Sequence, residues 1–130
     1  MRRYPSRGPT YSSFSFGPGP LSPAIKALIY TNVAVFLLMW LMPAGVRHAV
    51  QEFFGLLPAA IIGSFRVWQP VTYLFLHETR AFGHILFNML ALWMFGTELE
   101  RMWGTTAFVR YYFATGIAAA ITTILVSLAP

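Results

Sequence analysis

The amino-acid sequence predicts an all-α, polytopic membrane protein with three membrane-spanning helices. Three observations carry this reading. The 130 residues are 57% hydrophobic and only 10% charged, whereas soluble domains carry about 25% charged residues. The apolar residues gather into runs near 23–42, 82–102 and 106–128, each close to the roughly 20 residues that a helix needs to cross a bilayer. Nine lysines and arginines outweigh four acidic residues, all glutamate, for a net charge of +5. These bases are spread along an apolar chain, so they suit anionic lipid headgroups and exclude a nucleic-acid partner. The absence of cysteine removes disulfides, thiolate catalysis and cysteine-ligated metals.

Residues 1–22 hold Arg2, Arg3 and Arg7 among recurrent Pro, Gly, Ser and Phe. Pro and Gly recur too often for a helix or a sheet, so a flexible basic tail is expected, acting as a topological anchor. Residues 23–130 form the membrane domain. Ser22-Pro23 reads as a helix start, with serine at the N-cap and proline in the first turn. The run from Ala24 to Met42 is the first span, closed by Pro43. It is too long for a signal-peptide core and lacks a small-x-small cleavage site after Leu41.

Residues 43–81 form a long outer loop. Val46, Val50, Phe53, Phe54 and Leu57 fall near helical spacing with Arg47, His48, Gln51 and Glu52 between them, the pattern of a short helix lying in the interface. Leu56 to Ile62 is too short to span, and Trp68, Tyr73, Glu78 and Arg80 suit headgroup depth. The second span, 82–102, ends in Glu98, Glu100 and Arg101, expected to reach water. Gly104-Thr105 makes a tight turn into the third span, 106–128, so spans two and three are antiparallel neighbours. Gly116 with Ala118, Ala119 and Ala120 gives that third helix a small-residue side for close packing, and an oligomer through this uncovered span is expected. Arg2, Arg3, Arg7, Lys26, Arg101 and Arg110 outnumber the loop bases Arg47, Arg66 and Arg80. This bias places the N-terminus in the cytoplasm and the long loop outside.

The second span carries His84 and Asn88, about 40° apart round a helix and therefore on one face. Polar groups inside a span are costly and commonly mark function. Their bland reading is interhelical hydrogen bonding.

The chain resembles the first half of a rhomboid-family intramembrane serine protease. The matching residues are Trp68-Gln69-x-x-Thr72-x-x-Phe75-Leu76-His77, then Gly83-His84-x-x-x-Asn88, then Gly96-x-x-Leu99-Glu100-x-x-x-Gly104, then Tyr111-Tyr112-x-x-x-Gly116. Many members carry arginine where this chain has Gln69, a subgroup difference. The resemblance implies a six-helix bundle that hydrolyses peptide bonds in or near transmembrane protein substrates, in a bacterial-type plasma membrane. The dyad would be a serine in GxSG on the fourth helix and a histidine on the sixth. His84 and Asn88 would line the oxyanion side, and Glu100 and Gly104 would help set the cytoplasmic turn.

The sequence stops at Pro130, with no GxSG and no histidine beyond His84. These 130 residues are therefore expected to be inactive alone, and a non-catalytic rhomboid-like protein that binds transmembrane clients is the alternative. Ser127 is flanked by Val126 and Leu128, with no glycine to make the sharp turn that exposes a nucleophile, and reads as a packing or capping residue. No cofactor is expected. A metal at His77, Glu78 and His84 is not expected either, because HExxH needs histidines at i and i+4 on one helix, whereas these two are seven apart across Gly83 and a loop-to-helix junction. His77 reads instead as a loop residue bonded to backbone.

Overall fold

The computed structural model describes residues 19–129; the expected basic tail lies outside the described residues up to position 18. Among the described residues all regular structure is helical. Helix α1 (Pro23–Leu41) starts where the capping pattern predicts: Ser22 Oγ accepts the Ile25 N–H at 3.1 Å and Pro23 occupies the first turn. Its last turn closes through the Met42 N–H on the Leu38 carbonyl at 3.1 Å, ahead of Pro43. Ile25, Leu28, Asn32, Phe36 and Met39 are buried on one stripe, the helical period of a packed face. Tyr30, Leu37, Leu38, Trp40 and Leu41 on the other side are exposed, as lipid-facing residues are.

The loop after α1 is mostly helical. It contains α2 (Ala44–Phe54), α3 (Pro58–Ser64) and α4 (Gln69–Thr72), followed by a 3-10 turn at Tyr73–Phe75. Helix α2 matches the expected amphipathic segment. The later two helices are not anticipated by the sequence reading, since each is short and opens on a proline in its first turn. A helix leaves its last carbonyls without partners, and four side chains serve those of α2. Arg66 Nη1 donates to the Glu52 carbonyl at 2.9 Å and Trp68 Nε1 to that of Phe53 at 2.9 Å. Thr72 Oγ1 donates to the Phe54 carbonyl at 2.6 Å. Gln69, fully buried, donates through Nε2 to the Glu52 and Phe53 carbonyls at 3.1 and 3.2 Å, while its Oε1 accepts the Leu57 N–H at 3.0 Å. The uncharged residue thus folds the loop with both ends of its amide. Tyr73 ties the loop to the last helix, its hydroxyl donating to the Gly116 carbonyl at 2.6 Å.

Residues 82–103 are helical throughout but not uniform: α5 (Phe82–Ala91), a π-helical turn (Leu92–Gly96) and α6 (Thr97–Trp103) succeed one another. A π turn takes an extra residue and so rotates α6 about the axis relative to an unbroken α-helix. Gly104, at φ +80, then reverses the chain into α7 (Thr105–Ser127). Helices α1 and α7 are long and apolar enough to cross a membrane by length and composition; the 82–103 run is divided by its π turn.

The core forms where these elements cross. Ile25 and Leu28 of α1 and Phe108 of α7 are buried together, with Phe75, Leu92 and Leu99 packed around them. Gly96 permits the approach: a Cβ there would lie 2.9 Å from Ile25 Cδ1 and 3.2 Å from Phe108 Cζ. One expectation is corrected. Glu100 does not reach water but is buried, at 7% exposure. It accepts hydrogen bonds from Ser22 Oγ and, at 2.6 Å, from Thr105 Oγ1. Its carboxylate joins the starts of α1 and α7 to α6, while Glu98 and Arg101 pair at 2.9 Å on the exposed side.

Candidate active site

Helix α5 opens with the His84 N–H on the Ala81 carbonyl at 2.8 Å, placing His84 in the first turn and Asn88 one turn later. Both are exposed. They touch each other, with Asn88 Nδ2 3.3 Å from His84 Nε2. In this arrangement the amide donates and Nε2 accepts, so the imidazole proton sits on Nδ1. Among the described residues the other N–H of the Asn88 amide has no acceptor.

His77 approaches from the loop, its ring centroid 5.8 Å from that of His84 and its Nδ1 3.4 Å from the Phe75 carbonyl. Burial pushes the His77 pKa below the ordinary histidine value, and His84 adds to that, against the opposing pull of the Phe75 carbonyl. The ring is therefore neutral at neutral pH. Its contact with backbone agrees with the loop role read from the sequence. Ser127 donates to the Ile124 carbonyl at 2.7 Å, as a helix-end serine does.

Beside the pair lies a cavity of about 290 Å³ whose polar lining is Asn32, His77, Asn88 and Tyr112. Asn32 and Tyr112 escape the sequence reading as site residues. Asn32 is fully buried in the middle of α1, where its Nδ2 donates to the Leu28 carbonyl at 2.7 Å and its Oδ1 has no partner among the described residues. The signal was an asparagine inside an apolar run, the same signal that singles out Asn88. Three segments distant in sequence, α1, the loop and α5, thus bring amide and imidazole groups to one polar cleft walled by apolar helices.

A helical membrane protein with a histidine–asparagine pair beside a polar cleft is the class that fold and site define. The chain belongs to the rhomboid family: residues 64–129 match the Rhomboid domain. It is 31% identical, over 76% of its length and 19% of the relative's, to the rhomboid protease GluP of Bacillus subtilis. It is also 34% identical to the mitochondrial rhomboid protein 1 of Saccharomyces cerevisiae, over 87% of this chain and 30% of that one. With the rhomboid-like protein 15 of Arabidopsis thaliana it shares 39% identity over 53% of this chain and 16% of that protein. The chain therefore spans less than a third of the length of these relatives. No solved structure matches it.

Proposed function

We propose that this chain is the N-terminal part of an intramembrane serine endopeptidase, with His84 and Asn88 on the oxyanion side of its site and transmembrane proteins as substrates. In this reading the 82–103 run is a third span between α1 and α7, the N-terminus is cytoplasmic, and residues 23–130 make one membrane domain with 43–81 as its outer loop. The observation that supports it best is the Asn88–His84 contact at 3.3 Å, on the exposed face of α5 beside a polar cleft. Acyl transfer builds negative charge on the former carbonyl oxygen, and fixed N–H donors stabilise that charge most where water is excluded. The other N–H of the Asn88 amide and the Nδ1–H of His84 are such donors. The 130 residues contain no GxSG and no histidine after His84, so they supply neither nucleophile nor general base. Alone, they do not cleave.

The test is a chimera in which the 130 residues replace the matching segment of the Bacillus subtilis rhomboid protease. Asn88→Ala in the chimera should lower kcat by on the order of 10²–10³ and leave KM nearly unchanged, because an oxyanion donor acts on charge present in the transition state. Unchanged kcat together with a clear loss of thermal stability would show that the pair is structural. The 130-residue chain by itself should not be labelled by a fluorophosphonate; labelling that vanishes in Ser127→Ala would make Ser127 the nucleophile and sink this assignment.

A further inference from the structure

Two cavities on the outer-loop side are each built on α2 and the segment that follows α4. The first is an apolar groove of about 330 Å³ between α1, α2 and the 3-10 turn, lined by Thr31, Val35 and Met42 of α1, Val50 and Phe54 of α2, and Leu76. The second, of about 390 Å³, is polar and is lined by Arg47, His48, Glu78, Thr79 and Arg80. Arg47 lies one turn before Val50 on α2, and Thr79 three residues after Leu76. Arg47 Nη1 bridges the two walls by donating to Thr79 Oγ1 at 3.4 Å.

The shape is that of one membrane leaflet. From Thr31 to Met42, α1 rises about 16 Å at 1.5 Å per residue, which is about half of the roughly 30 Å hydrocarbon core. The lining over that length is almost wholly apolar, as the surroundings of a hydrocarbon chain are. The polar cavity sits past Met42, at the end where α1 leaves the apolar run. Two guanidiniums and one carboxylate line it, Arg47, Arg80 and Glu78, leaving one net positive charge. The carboxylate is partly engaged, since Glu78 Oε1 accepts the Arg80 backbone N–H at 3.2 Å. The Arg80 side chain is exposed and has no hydrogen-bond or ion-pair partner among the described residues.

We propose that this bipartite cleft binds one anionic phospholipid, with an acyl chain in the groove and the headgroup phosphate at Arg47 and Arg80. Guanidinium matches phosphate as a charged, multiply donating partner. The bound lipid would brace α2 against α1, and so set the position of the loop that carries His77.

The test uses the 130-residue chain in vesicles of phosphatidylglycerol and phosphatidylcholine with identical acyl chains, followed by native mass spectrometry of the retained lipid. One phosphatidylglycerol should be retained in preference to phosphatidylcholine. Arg47→Gln with Arg80→Gln should cut that preference about thirty-fold, two basic groups at about 1 kcal/mol each. Val35→Trp, which plugs the groove, should abolish retention of both lipids. Circular dichroism reports folding, and Arg80→Gln alone, with no side-chain partner to lose, reads about a five-fold fall should the double variant unfold. No preference in the unsubstituted chain, or an unchanged preference in the arginine variants, would overturn the proposal. Retention abolished by inorganic phosphate would do so too, by showing a phosphate site without an acyl groove.

Discussion

The two ends of the 82–103 helical run treat polar side chains in opposite ways. At the α6 end, Glu100 is buried and takes hydrogen bonds from Ser22 and Thr105, side chains 78 and 5 residues away. At the α5 end, His84 and Asn88 are exposed and, among the described residues, hydrogen-bond through their side chains to each other, and the nearby Asn32 keeps a buried oxygen without a partner. Hydrogen bonds to a buried charge contribute strongly to stability, whereas a polar group left open contributes little and stays available for chemistry. The difference divides the labour: one end holds the helices together, the other is free to bind.

The sharpest way to break this comparison is to remove a polar group at each end and measure equilibrium unfolding in mixed micelles. Glu100→Ala deletes the acceptor for two hydroxyls, and hydrogen bonds to charged groups are worth about 1.5–3 kcal/mol each, so a loss of about 3–5 kcal/mol is expected. Glu100→Gln keeps an acceptor for Thr105 and should lose about half as much. Asn88→Ala, on the exposed face, should stay within about 0.5 kcal/mol. Comparable losses at both positions would erase the distinction.

The loop offers a second, smaller contrast. Gln69 occupies a position where the sequence reading sees only a departure from an arginine, yet its amide makes three hydrogen bonds to the end of α2 and the start of α3. Gln69→Ala strands the Leu57 N–H and should cost about 2–3 kcal/mol, with proteolysis between α2 and α4 as a local readout. A loss below about 0.5 kcal/mol would mean that water replaces the amide and that the hydrogen bonds of Arg66, Trp68 and Thr72 hold the loop.

The features legible in the sequence are those that short-range rules encode. Ser22-Pro23 and Pro43 bracket α1, Gly104 turns the chain, and the four-residue spacing brings His84 and Asn88 into contact. The features that were not legible depend on partners remote in the chain. A glutamate at a helix end ordinarily faces water, and nothing local tells Glu100 that Ser22 will meet it. The π turn at Leu92–Gly96 has no proline or other local mark, so a uniform helix was the natural expectation. Asn32 is plain in the sequence, but its role rests on the cavity that α1, the loop, α5 and α7 close around it.

That cavity supplies the third prediction. Among the described residues Asn32 Oδ1 is buried without a hydrogen-bond partner, so replacing the amide with an isosteric apolar group removes a desolvation cost. Asn32→Leu should leave stability unchanged or raise it by up to about 1 kcal/mol, while altering the cleft that His77 and Asn88 line. A loss of about 2 kcal/mol or more would place Asn32 with Glu100, among the groups that hold the bundle.

The smallest expected effect is a pH dependence centred on His77, which stands outside the long spans. Its pKa is lowered in the folded chain, first by burial and then by His84, against the Phe75 carbonyl. The unfolded chain therefore binds a proton that the folded chain refuses, and stability rises with pH wherever that holds. The contribution is complete above the ordinary histidine value of about 6.5 and is lost as pH falls through the lowered folded value. Unfolding measured between about pH 7.5 and 5 should show a shallow decline that His77→Leu flattens. A decline of equal slope in His77→Leu would remove His77 as its source. A steeper decline in the variant would mean that the ring is held protonated, and would reverse the sign of the argument.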